Sequence, residues 1–200
     1  MIKYSGMKSE GILKRPTQLP AGPYVAKVLD VTLIGKEPDE QLALWLDVAE
    51  GPFKDFFMNK YNAQLDNANN QYKPTYKGVY KLRVPNDANP NAMYPESDIR
   101  RMNDLIYRFE KSNDGFHWTG DEMKLKGLQV GINMQEDEYN GNTFTRIGRL
   151  EIADDVRKGI VKAMGPRKPR EDSLDPTKTP TPVDGQSGMT VVKTEKLPWD

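Results

Sequence analysis

Cysteine is absent from this chain, which excludes disulfides, thiolate nucleophiles and thiolate metal ligation and fits a reducing compartment. Histidine occurs once, as His117, so a Cys/His zinc spacing is impossible. No glycine-rich phosphate loop with a following Lys-Ser/Thr occurs. Long apolar runs are missing too: none approaches the ~20 residues that cross a bilayer, and Met1–Glu10 lacks the apolar stretch of a signal peptide. A cytoplasmic location without membrane attachment is the expectation. An excess of charge is also lacking, since Lys+Arg 29 balances Asp+Glu 29. A uniformly basic polyanion binder is thereby excluded, and any such surface must come from local asymmetry.

Against these absences, proline is concentrated at the ends. Pro166, Pro169, Pro176, Pro180, Pro182 and Pro198 punctuate a stretch with few Leu, Ile, Val or Phe, too little apolar surface to offset its ordering entropy. Residues 166–200 are expected to form a disordered linker that carries a short tip, Leu197-Pro198-Trp199-Asp200, with an aromatic anchor beside two carboxylates. That chemistry suits a pocket with an apolar floor and a basic rim on another protein. Residues 1–18, where Pro16 stands shortly before Pro20 and Pro23, are expected to be a loosely ordered arm. The folded domain is expected over 19–165.

Inside that domain the pattern is mainly β. Tyr24–Ile34 and Leu42–Val48 alternate apolar and polar residues, as half-buried strands do. Phe53–Tyr61 is expected as a third, aromatic strand, Asn62–Asn70 as a loop, and Tyr76–Val84 as a return arm of the third-strand region. Pro95-Glu96-Ser97-Asp98 supplies helix-start residues, and Ile99, Met102, Leu105, Ile106 and Phe109 form one apolar helical stripe that ends at Asn113-Asp114-Gly115. Gly127–Met134 alternates again. Asn140-Gly141-Asn142 is a hairpin signal, leading into the alternating Thr143–Ile152, and a weak helical piece, Asp154–Met164, closes the domain. Three strands, one helix and two strands is the element order of a five-stranded OB-fold, a Greek-key barrel with its helix between strands 3 and 4.

Chemistry concentrates in the middle of the chain. Between Lys54 and Arg83 six basic residues (Lys54, Lys60, Lys73, Lys77, Lys81, Arg83) face two acids (Asp55, Asp66). Phe57, Tyr61, Tyr72, Tyr76 and Tyr80 are interleaved with them. Cations for phosphates and rings for bases make a single-strand-binding surface, in which each stacked base contributes about 1–3 kcal/mol. The alternative for each ring is a place in the core, and for each lysine a solvated face. A second candidate is the hairpin at Tyr139-Asn140-Gly141-Asn142 with Phe144, Arg146 and Arg149 after it. Glu136, Asp137 and Glu138 precede it and would repel phosphate, which directs the expected contacts to the Phe144 and Arg146 side. Asp39, Glu122 and Lys124 are a weak match to a metal-dependent nuclease pattern. The chain is otherwise expected not to be an enzyme and to need no cofactor or metal.

Two stretches carry a family likeness: Leu19–Val28 (LPAGPYVAKV) with Asp47–Asp55 (DVAEGPFKD), and Leu125–Gly131 (LKGLQVG) leading into Glu138–Asn142 (EYNGN). With the proline-rich tail and its tip, they resemble single-stranded-DNA-binding proteins of the bacterial and phage kind, over about residues 19–152. Tips in that family are richer in Asp and end in Pro-Phe; here Trp199 stands where Phe is usual. The resemblance implies non-sequence-specific binding of single-stranded DNA in phage replication or recombination, with the tip recruiting a replication or recombination protein. The rival expectation is an OB-like protein-interaction module that binds no nucleic acid.

Overall fold

A computed structural model describes residues 18–36, 39–67, 73–85, 95–139 and 141–167. The chain is mainly β. Its elements are β1 (Gly22–Ile34), β2 (Gln41–Val48), α1 (Phe56–Leu65), β3 (Val79–Arg83), α2 (Pro95–Ser112), β4 (Gln129–Tyr139), β5 (Asn142–Glu151) and α3 (Ala153–Arg157). All five strands join one antiparallel sheet in the order β3-β2-β1-β4-β5.

β1 organises the sheet. Gly22–Lys27 pairs with β4, while Ala26–Val28 and Asp30–Ile34 pair with β2. The register shifts between Val28 and Asp30; such a bulge bends a strand and strengthens its twist, letting one strand serve two ladders. Period-2 alternation then gathers the core on the concave side. Ala26, Val28 and Val31 meet Leu42, Leu44, Leu46 and Val48 of β2, Val130, Ile132 and Met134 of β4, and Leu150 of β5, all buried. Among the described residues no ladder joins β3 to β5. Instead α2 packs against β3, β4 and β5, with Leu105 and Phe109 buried in the core.

α2 is fixed at its end by the residue that stops it. The Asn113 amide donates to the carbonyls of Phe109 and Gln129, both at 2.8 Å, and its oxygen accepts from the Gln129 N–H at 2.9 Å. One side chain thus caps the helix and docks it on the first residue of β4.

The expected third strand is not one. Phe53–Tyr61 lies in a turn and α1, so the described residues hold three α-helices where one clear helix and a weak closing piece were expected, and the third strand is Val79–Arg83. The aromatic content suggested β structure, but Phe53, Phe57 and Tyr61 recur every four residues, which is helical spacing. What commits the segment to helix is a long-range contact: the Asp47 carboxylate on β2 accepts the N–H groups of Phe57 and Met58, each at 2.9 Å. α1 therefore covers the outer side of β2, whose residues Leu42–Val48 are all buried. Gly78 makes the close approach possible. A Cβ there would lie 2.2 Å from the Leu46 carbonyl oxygen and 2.8 Å from Cδ2 of Phe57.

At the far end α3 is shorter than the expected Asp154–Met164, because Gly159 turns the chain at φ 68°, a left-handed C-terminal stop that glycine adopts without steric cost. The chain then crosses the outer side of β4. The Asn133 amide donates to the Lys162 carbonyl (2.9 Å), the Gln135 amide to the Gly165 carbonyl (2.9 Å), and the Arg167 N–H to the Glu136 carbonyl (2.9 Å). Attachment to the sheet therefore continues to Arg167, past the expected boundary at residue 165. At the other end, Gln18 clamps β5, donating to the Thr143 carbonyl at 3.0 Å and accepting from the Thr145 N–H at 2.9 Å. Leu19 is buried beside it. No helix of the described residues is long and apolar enough to cross a membrane.

Candidate nucleic-acid interface

The basic, aromatic middle of the chain divides on folding. Phe57 and Tyr76 belong to the core, which corrects their expected role as base-stacking rings. The Tyr76 hydroxyl donates to the Leu46 carbonyl at 2.8 Å, and its ring lies 5.6 Å from Trp45, 6.3 Å from Phe57 and 6.0 Å from Tyr61. A ring enclosed by other rings and holding its polar end on a buried carbonyl has no face to offer a base. Burial, with the charges of Asp47 and Asp55, raises the Tyr76 hydroxyl far above the ordinary tyrosine range. Tyr61 of α1 is half-buried, edge-on to Tyr76 and packed against the core.

Lysines collect around that patch. Lys54 is exposed in the turn before α1, and Lys77 is exposed just before Gly78. Lys60 of α1 has its ammonium pKa lowered, by partial burial first and by the Lys77 charge second, so the two cations from separate elements share one locality. Lys81 of β3 sits opposite Ala43 on the outer side of the sheet, and burial lowers its pKa as well. A cation that is partly desolvated and pressed against another gains from an approaching phosphate.

A second group of cations meets at the opening between β3 and β5. Tyr80 of β3 is half-buried, and its hydroxyl pKa is raised, chiefly by burial. The charges of Arg101, Asp104 and Arg108 on α2 and of Arg146 on β5 also act on it. Several of these charges are paired. Arg108 bridges Asp104 (2.9 Å) and Glu151 (2.7 Å), and Glu151 holds Arg149 at 2.6 Å. Arg149 is thus committed to a carboxylate on its own strand.

The β4–β5 hairpin runs beyond the sheet. Its ladder continues from Gln135↔Arg146 to Tyr139↔Asn142, past the last pair that β4 makes with β1, Gly22↔Met134. Five residues of β4 at ~3.4 Å each make a ribbon about 17 Å long. Tyr139 near its tip is 68% exposed, and Phe144 is half-exposed. The expected separation of acids from contacts does not hold for Asp137. It stands directly opposite Phe144, bonds Arg146 at 3.3 Å, and also holds Arg167 at 3.2 Å. Alternation turns Glu136 and Glu138 to the other face, so the acidic run is divided between two sides.

The structure thus brings Lys60 and Tyr61 of α1 together with Lys77 of the segment before β3, and Tyr80 with Arg146 at the opening. It separates Arg149 into an ion pair and withdraws Phe57 and Tyr76. Tyr72 and the tip residues Leu197, Pro198, Trp199 and Asp200 lie outside the described residues. Sequence reasoning missed Arg100, Arg101, Tyr107 and Lys111 on α2. The signal for them was present: Tyr107 falls off the apolar stripe of an otherwise well-patterned helix. For the nuclease pattern, Lys124 donates to the Thr119 hydroxyl at 2.9 Å, and no three His, Asp or Glu side chains among the described residues gather as a metal site. No family model and no curated protein matches this chain.

Proposed function

We propose that the chain is an OB-type protein that binds single-stranded DNA without sequence preference, in replication or recombination, and that it is not an enzyme. The strand order carries the reading. A bulged first strand shared between β2 and β4, with β3 and β5 as the flanking strands and a helix between β3 and β4 set against their opening, is an open antiparallel sheet compatible with an OB barrel, and supports that reading. In that fold, single strands lie along the outer faces of the central strands and against the loop joining strands 4 and 5. Here those regions hold Lys60, Tyr61, Lys77 and Lys81 on one side, and Tyr139, Phe144 and Arg146 on the hairpin. The cations take the phosphates, and Tyr61, Tyr139 and Phe144 supply the rings. The tip Leu197–Asp200 is assigned to recruitment of a replication or recombination protein.

Binding of a labelled oligothymidylate, followed by fluorescence anisotropy over a range of salt, tests the proposal. Four phosphate contacts on a single strand imply a log–log salt slope of about −3 and a loss of about 50-fold in affinity between 50 and 200 mM salt. Absence of binding at low salt would leave the protein-interaction module as the better reading. Incubation with DNA and Mg²⁺ or Mn²⁺ is expected to leave the DNA uncut.

A further inference from the structure

α2 turns Met102, Leu105, Ile106 and Phe109 towards the core. Its outward side carries Arg100, Tyr107 and Lys111, and Arg101 lies on the flank with Arg108, about a third of a turn round the helix from Tyr107; all four of Arg100, Arg101, Tyr107 and Lys111 are exposed. Tyr107 is 53% exposed, and the Lys111 ammonium stands 5.8 Å from the centre of its ring. Most of the helix's acids are occupied elsewhere: Asp98 is buried, Asp104 is held by Arg108, and Glu110 accepts the Trp118 N–H at 3.0 Å. Glu96 is left exposed one turn before Arg100. An exposed ring with a cation over it and two arginines up to two turns away is the pairing of base platform and phosphate contact that single-strand binders use. From Arg100 to Lys111 this side spans about 16 Å of helix.

The position of α2 connects this side to the rest of the interface. The helix packs on both β3 and β5, and its Arg101 and Arg108 share the surroundings of Tyr80 with Arg146 of β5. The α2 side and the hairpin therefore both border the β3–β5 opening, where Arg108 and Arg146 are ion-paired to Glu151 and Asp137 and Arg101 is exposed.

We infer that the outer side of α2 is a second length of the single-strand path. A strand held at Phe144 and Arg146 crosses the β3–β5 opening past Arg101 and stacks a base on Tyr107 beside Lys111. This rests on the single-strand-binding reading and extends it to a surface away from the outer sheet face.

The test uses the full chain and the oligothymidylate anisotropy titration, with Tyr107→Ala, Tyr107→Phe and Arg101→Gln. Lys124→Gln, on the turn before β4, serves as control. Removing the Tyr107 ring is expected to weaken binding about 5- to 150-fold, and Tyr107→Phe, which keeps the ring, to bind as wild type does. Arg101→Gln is expected to flatten the salt slope by about 0.7, the loss of one phosphate contact, while Lys124→Gln changes neither quantity. Wild-type affinity and slope in Tyr107→Ala and Arg101→Gln would overturn the α2 path alone. Equal losses in Tyr107→Phe and Tyr107→Ala would overturn the stacking role. A wild-type chain that binds no oligothymidylate at low salt would overturn both this inference and the reading beneath it.

Discussion

Asp47→Ala should be among the most damaging single changes to the fold. The Asp47 side chain is buried and accepts three backbone N–H groups, from Val48 at 2.8 Å, Phe57 at 2.9 Å and Met58 at 2.9 Å. Alanine leaves all three without an acceptor. An orphaned buried donor costs about 1–3 kcal/mol. The Val48 and Phe57 groups are buried and bear that in full, while Met58 is only partly buried and water replaces some of its bond. Against this, the carboxylate itself is costly to bury, and burial raises its pKa despite the three bonds. The net expectation is a loss of about 3 kcal/mol, a large share of the 5–15 kcal/mol by which domains are usually stable. Asp47→Asn keeps one oxygen for Val48 and Phe57 but presents an amide towards Met58, and should cost about half as much. With a urea slope near 2 kcal/mol/M, alanine lowers the unfolding midpoint by about 1.5 M. The pH dependence has a definite sign. A raised folded pKa means that the group's stabilising contribution is complete below the ordinary carboxylate value of 3.8 and is lost as pH rises through the folded value. The gap between wild type and Asp47→Ala should therefore widen as the solution is acidified. An alanine variant within 0.5 kcal/mol of wild type would refute the assignment of Asp47 as the clamp that makes α1 a helix, and a gap that narrows in acid would show instead that the three N–H bonds outweigh burial in setting its pKa.

Two further outcomes follow from the same region. Gly78→Ala places a methyl 2.2 Å from the Leu46 carbonyl oxygen, and the backbone cannot retreat without losing the 2.7 Å bond from the Leu46 N–H to the Gly78 carbonyl. It should cost at least about 3 kcal/mol, read as a fall of roughly 10 °C in Tm, and a shift under 2 °C would contradict the close approach of α1 to β2. Tyr76→Phe removes the bond to Leu46 at a cost of about 1 kcal/mol near neutrality. Because the folded hydroxyl is raised above 10, its contribution is full below pH 10 and fades as pH climbs beyond it. Urea midpoints of wild type and variant should converge above pH 10, and a constant gap would count against the buried hydroxyl.

The parts of the fold that were legible in the sequence are those decided locally. β1, β2 and β5 alternate, α2 carries an apolar stripe with a stop at Asn113, and the Asn-Gly hairpin lies between paired strands. α1 was misread because its commitment comes from Asp47, nine residues before its first residue, and because rings that favour strands obscured the spacing of Phe53, Phe57 and Tyr61. β4 runs on to Tyr139, five residues past the expected Met134, because its acidic half is held by β5 and by Arg146 and Arg167, partners that periodicity does not reveal. The candidate site was legible as a composition and not as a surface. Lys60 and Lys77 stay together beside the half-buried Tyr61, but Tyr76 is drawn inward by a carbonyl thirty residues away, on β2. Which member of a run of rings becomes core depends on where the neighbouring strand leaves an acceptor.

The crossing of residues 160–167 over β4 sets where this fold tolerates being cut. Removing the chain after Ile160 would strip partners from the amides of Asn133 and Gln135 and release Asp137 from one of its two arginines. The shortest stable version of the domain should therefore retain Arg167, and a cut at Gly165, placed by composition alone, should yield a looser hairpin.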